Sequence, residues 1–228
     1  MPWVPLGMMV EREVLPFVLL SGANFGCMFM SLTLLPTLLS APPYSLDETS
    51  VGLCYIPIGV AMMAGSTLGG MASDRAAAAA PGVASARVVP SILGSLALPA
   101  GAIVFGPVLG AGGPLLLALL VGHVLIGVGQ SFYMGGFMSY LTTIKQAQAS
   151  AASAGSMVLN FVVAAVLISA AVPLKAVLGA GGLFGLFAGI HALLAAIALR
   201  HARTRAAEAA RGAAEATSVV AMAPASPV

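Results

Sequence analysis

The chain has 228 residues, 60% of them hydrophobic and 7% charged, with a mean hydropathy of +1.05. Soluble domains carry about 25% charged residues, so no water-soluble fold hides this much apolar surface and lipid must be its main solvent. Nine basic against seven acidic residues leave a net charge of +2, too little to indicate a nucleic-acid partner.

Residues 1–13, MPWVPLGMMVERE, read as a cytoplasmic N-terminal segment. One arginine between two glutamates, followed by an apolar stretch too long for a signal peptide, makes that stretch a retained first span. A helix crosses ~30 Å of hydrocarbon in about 20 residues. Six segments qualify: Val14–Leu39, Val51–Met71, Val89–Leu109, Pro114–Met138, Ala149–Val172 and Val177–Leu199. Pro42-Pro43 with Asp47-Glu48 breaks the first pair, and Asp74-Arg75 with Pro81-Gly82 the second. Gly110–Pro114, Lys145-Gln146 and Pro173-Leu174-Lys175 supply the remaining turns. Ala76–Ala80 reads as low-complexity filler in a loop. The region 14–199 is thus an all-α transmembrane bundle. Residues 200–228 form a cytoplasmic tail, helical at first through Arg205–Glu208 and Arg211–Glu215 spacing, then disordered over MAPASPV.

Basic residues set the orientation. With both termini cytoplasmic, the inner segments hold Arg12, Arg75, Arg87, Lys145, Arg200, Arg203, Arg205 and Arg211, and the outer loops hold only Lys175.

No Asp or Glu falls inside an apolar run, so neutral polar groups are the candidates for reading a substrate. Asn24 sits near mid-depth in the first span, Gln130 and Tyr133 in the fourth, and Asn160 in the fifth. An unpaired amide in hydrocarbon costs several kcal/mol, so each faces a wet cavity or a partner helix, and the residues leave both open. His123, on the fourth span, is a candidate proton-titrating group; the alternative is a neutral imidazole satisfied by a carbonyl. Gly65 and Gly69 in the second span, and Gly181, Gly185 and Gly189 in the sixth, recur every four residues as helix-packing ridges, with His191 assigned to the latter ridge. Cys27 and Cys54 read as small hydrophobes; no metal-ligand spacing exists, and no cofactor is expected.

Pro42-Pro43-Tyr44, then Val51-Gly52-Leu53-x-Tyr55-Ile56-Pro57, then Gly65-Ser66-x-Leu68-Gly69-Gly70-x-x-Ser73-Asp74-Arg75 resemble the second half of a major facilitator superfamily transporter, of the fungal multidrug, drug:proton antiporter type. Ser139-Tyr140-Leu141, Ala149–Ser156 and Asn160 add to the resemblance, which covers about residues 10–200. It implies spans seven to twelve of that fold: a half-bundle of two three-helix inverted repeats. It implies that spans one, two, four and five line a cavity, the set carrying Asn24, Gln130, Tyr133 and Asn160. It also gives Gly70, Asp74 and Arg75 a conformational-switch role; the alternative is an interfacial anchor that sets span depth. Ala76–Ala80 follow Arg75 where the family has a glycine and further basic residues.

The expected function is gradient-driven transport of small amphipathic organic compounds by a half-size transporter. Its partners would be the bilayer, the small-molecule substrate, and a missing N-terminal half, a second copy or a full-length relative. A plasma or vacuolar location is implied by analogy alone. The alternative is a non-transporting half or regulatory subunit. No phosphate-binding Gly-x-x-x-x-Gly-Lys-Ser/Thr is present, and no enzyme activity is expected. An intramembrane hydrolase is the remote alternative, because Gly65-Ser66-Thr67-Leu68-Gly69 places its serine one position too early for a nucleophile turn.

Overall fold

Prolines open three of the helices, at positions where a missing N–H costs nothing. Pro16 starts α2 (Leu15–Leu39), Pro57 starts α4 (Ile56–Ala79) and Pro90 starts α5 (Val89–Ser95). A computed structural model describes residues 4–222 of the chain, with side-chain environments given through residue 212. Its remaining helices are α1 (Val4–Met9), α3 (Glu48–Leu53), α6 (Ala97–Gly110), α7 (Leu115–Leu117), α8 (Val124–Ile144) and α9 (Ala149–Met222). No strand occurs among the described residues.

Five stretches are long and apolar enough to cross a membrane: Leu15–Leu39, Glu48–Ala79, Ala84–Gly110, Leu115–Ile144 and Gln146–Gly212. The fifth contains a reversal. A straight helix of 74 residues would be about 110 Å long at 1.5 Å per residue. Instead Gly179 leaves helical geometry at φ 67° and ψ 173°, a region open essentially to glycine alone. The contacts give the direction on each side of it. Before Gly179, Val163 meets Gly22 and Leu167 meets Gly26, so the first limb of α9 runs parallel to α2. After it, His191 meets Asn24, His201 meets Phe17 and Arg205 meets Glu13, so the second limb runs antiparallel. The two apolar segments expected here are therefore both present as limbs of one folded-back helix.

Three sequence expectations need correction. The last turn is at Gly179 and not at Pro173-Leu174-Lys175, which lie inside the first limb. A transmembrane helix tolerates a proline where neighbouring groups re-satisfy the freed backbone, and Lys175 can extend its ammonium toward water without ending the helix. Asp74 and Arg75 do not end the helix of the second span, because α4 continues through Ala79. The alanines after Arg75 are helix, as the residue of highest helical propensity favours, and not loop filler. In the tail, Arg205 and Glu208 pair at 3.6 Å. The Glu215 side chain and the end of MAPASPV, residues 223–228, lie outside the described residues.

The helices pack in a cross-linked order. α2 lies against both limbs of α9, while α8 lies against α4, α5 and α6. α4 and α8 run parallel, with Gly65 against Val128 and Gly69 against Phe132. α6 and α8 run antiparallel, with Leu98 against Gly129 and Phe105 against Gly122. α6 also meets the second limb of α9, where Gly106 faces Ala180 and Phe184 and Gly181 faces Pro107.

Both described ends of the chain gather at one end of the bundle, where Pro5 meets Gly155 and Glu13 meets Arg205. At the opposite end the Tyr44 hydroxyl donates to the Gly113 carbonyl at 2.7 Å, tying the first turn to the third. Asp47 caps α3 by accepting from the Ser50 N–H at 3.0 Å, and this bonding to Ser50 holds its carboxyl below the ordinary range. Apolar side chains face outward all along the bundle, among them Val60 at 62%, Met63 at 75% and Val166 at 62% exposure. In water each would forfeit about 25 cal/mol per Å² of burial; hydrocarbon removes that penalty.

Candidate functional site

Asn24 is held from two directions on α2, the most enclosed of the long helices. Its Nδ2 donates to the Leu20 carbonyl at 3.0 Å, one turn back. That fixes Oδ1 as the free acceptor, and Oδ1 lies 3.1 Å from His191 Nε2 on the second limb of α9. The imidazole must then carry its proton on Nε2. Both residues are buried, at 0% and 1% exposure. His191 is thus a hydrogen-bond partner of a mid-membrane amide and not a member of a glycine ridge. The sequence signal was available only as two polar residues near mid-depth on different spans, 167 positions apart.

Tyr133 is also committed. Its hydroxyl donates to the Phe17 carbonyl at 2.7 Å, and its ring stacks on Phe137 at 5.5 Å with an interplanar angle of 13°. This bond to the Phe17 carbonyl, near the start of α2, joins α8 to α2. Ser21 on the same helix donates to the Met134 sulfur at 3.5 Å, reinforcing that contact.

Gln130, Asn160 and His123 differ from this pair because they are buried and unanswered. Gln130 Oε1, both amide atoms of Asn160 and both ring nitrogens of His123 have no hydrogen-bond partner among the described residues. Ser73, Ser91 and Ser156 hydroxyls share that condition. His123 ends a π-helical turn, Ala118–His123, that leads into α8. Its ring lies 4.9 Å from that of Phe105, tilted by 34°, inside an apolar cluster. The close approach of Gly122 to the Phe105 backbone brings α6 that near. Seven residues separate His123 from Gln130, about 10 Å along the axis, so the two do not form one site. No hydrogen bond joins any two of Asn24, Gln130, Tyr133 and Asn160 among the described residues.

At the end of the bundle that gathers the termini, Asp74 Oδ1 meets Arg87 Nη1 at 3.0 Å, and the same nitrogen donates to Ser139 Oγ at 2.8 Å. The arrangement ties the end of α4 to the 3₁₀ turn Ala84–Arg87 and to α8. The sequence placed Arg87 among the inner basic residues and Ser139 in the patch that adds to the resemblance, but assigned neither to a site. Arg75 is exposed and makes no ion pair among the described residues, and a Cβ on Gly70 would meet nothing within 4 Å. Two further ion pairs lie at this end, Lys145–Glu11 and Arg205–Glu13.

Of the packing glycines, Gly65 and Gly69 sit where a Cβ would strike the α8 backbone, and Gly181 faces Pro107. Gly185 and Gly189 face outward, with nothing within 4 Å among the described residues. No group of three or more His, Cys, Asp or Glu side chains stands together as a metal site among the described residues. No protein-family model, no curated protein and no solved structure matches this chain.

Proposed function

We propose that this chain is one six-helix bundle of a facilitator-type transporter, moving small amphipathic organic compounds by alternating access between itself and a second bundle. One observation carries the reading: the exchange in helix packing. The first helix of the first triplet (α2) lies parallel to the first limb of α9 and antiparallel to the second limb. The first helix of the second triplet (α8) lies parallel to α4 and antiparallel to α6. Interchanging the two triplets turns each statement into the other, and the contact of α6 with the second limb maps onto itself. Inverted repeats inside one half of such transporters have this relation. Asp74, bound to Arg87 and through it to Ser139, is the contact in this bundle that could make and break as helices shift at a membrane face.

In this reading both termini are cytoplasmic, since the basic residues gather at that end, and a gradient supplies the energy. The chain has neither an enzymatic role nor a cofactor. The second bundle is required because this one fills its own centre: Asn24 and Tyr133 are engaged internally, and Gln130 and Asn160 are buried. That same filled centre favours the second reading, a non-transporting partner of another bundle.

Reconstitution separates the two. The purified chain is sealed into vesicles and gradient-dependent uptake of a fluorescent amphipathic dye is followed, with oligomeric state measured in the same detergent. Dye uptake by a two-bundle species is the expected result. A stable single bundle with no uptake contradicts transport by this chain and supports the partner role.

A further inference from the structure

We infer that α1 is a strap, held shut by two ion pairs, that closes a buried polar stripe on the first limb of α9 off from water. The stripe is Ser156 and Asn160, continued by the apolar Ala152; the three recur every four residues and so share one helical face. All three are fully buried at 0% exposure. The Ser156 hydroxyl and both amide atoms of Asn160 find no partner among the described residues, the arrangement a folded protein least tolerates when water is excluded. The stripe carries no charge, so what it accepts is water or an uncharged solute offering both a donor and an acceptor.

What covers it is visible at its upper end. Met8 and Met9 of α1 are buried at 6% and 0% exposure in the same apolar cluster as Ala152, together with Phe17, Tyr140 and Leu141. Pro5 lies directly over Gly155, where an added Cβ would come within 2.7 Å of the proline carbonyl oxygen. Six apolar residues alone make a weak lid, and the link that follows them, residues 10–14, is fastened twice. Glu11 pairs with Lys145 at the start of the α8–α9 turn, and Glu13 pairs with Arg205 on the second limb of α9 at 2.6 Å. The Glu13 carbonyl also accepts from the Tyr140 hydroxyl at 3.4 Å. Both ion pairs are partly exposed, with Glu11 at 42% and Glu13 at 54%, so each is weak singly and screened by salt. A strap held this way opens readily, and opening it lets the stranded polar groups bond.

The inference concerns access and holds whether or not the bundle transports, so its test needs no flux. Asn160→Cys is made in a chain whose Cys27 and Cys54 are replaced by alanine, and its reaction with a small charged methanethiosulfonate is timed in proteoliposomes. With the clasp intact the reaction is slow and accelerates as ionic strength rises. Adding Glu11→Gln and Glu13→Gln speeds it at least tenfold, and the exchanged pairs E11K/K145E and E13R/R205E return it toward the original rate. Gly155→Val, which pushes α1 away without touching a charge, gives the same acceleration. Equal rates in all of these variants and at all salt concentrations would overturn the strap. Should the charge-neutral variant not fold, the salt dependence of the parent decides alone: a rate independent of ionic strength overturns the inference.

Discussion

Gly69→Val collapses the α4–α8 contact, while Gly70→Val, one residue on, leaves the bundle as stable as before. At Gly69 a Cβ would collide with the Phe132 carbonyl oxygen and stand 2.7 Å from its Cα and 2.8 Å from its carbonyl carbon. Those atoms are helix backbone and cannot swing away as a side chain would. Gly65 makes the equivalent approach one turn earlier, 2.7 Å from the Val128 carbonyl oxygen, so α4 cannot retreat at one point without opening the other. Overpacking in a protein interior typically costs about 1–3 kcal/mol, and a clash with backbone belongs at the upper end or beyond. Between transmembrane helices no hydrophobic drive offsets the loss, since lipid is as apolar as the partner helix. At Gly70 nothing lies within 4 Å. The measurement is the fraction of each variant that stays monodisperse in mild detergent after graded heating. Equal losses at positions 69 and 70 would contradict the packing described.

The second large effect is non-additivity at Asn24 and His191. Asn24→Leu leaves the His191 N–H buried with no acceptor, and His191→Phe leaves Asn24 Oδ1 without its donor. A stranded buried group costs about 1–3 kcal/mol, more than the bond itself contributes. The double variant strands neither group and recovers most of the loss, though Asn24 Nδ2 gives up only a bond to its own helix. The coupling should exceed the ~0.6 kcal/mol average for polar pairs in membrane bundles, because both side chains are enclosed on every side. Denaturation of the four proteins in a double-mutant cycle reads it directly. Additive single losses would mean the two residues act apart, and Asn24 would return to being an independent cavity residue.

The crossing segments were legible because apolar run length is a strong signal and four of the five breaks carry turn chemistry. The fifth was misplaced because Pro173 and Lys175 are louder in sequence than Gly179, yet both are tolerated in a helix edged by lipid and neighbours. Gly179 shares its positive φ with Gly82 and Gly112, but those two lie in loops that turn residues already mark, whereas Gly179 stands in an unbroken apolar run. The polar candidates were legible by type and depth but not by partner. Tyr133 chose a carbonyl 116 positions away, and Asn24 chose a histidine on a helix treated as peripheral. Such pairings depend on which helices are neighbours, which periodicity alone does not determine. The acidic flanks of Arg12 were read as evidence against a signal peptide; their structural use, pairing with Lys145 and Arg205, needed the fold.

All of this depends on the two limbs of α9 crossing the bilayer out and back. Single cysteines at Gln146, Val177 and Arg203, each exposed, can be tested with an impermeant maleimide in sealed vesicles of known orientation. Val177→Cys is expected to react from one face, and Gln146→Cys and Arg203→Cys only from the other. Labelling of positions 146 and 203 from opposite faces would make α9 a single crossing and contradict the six-span bundle.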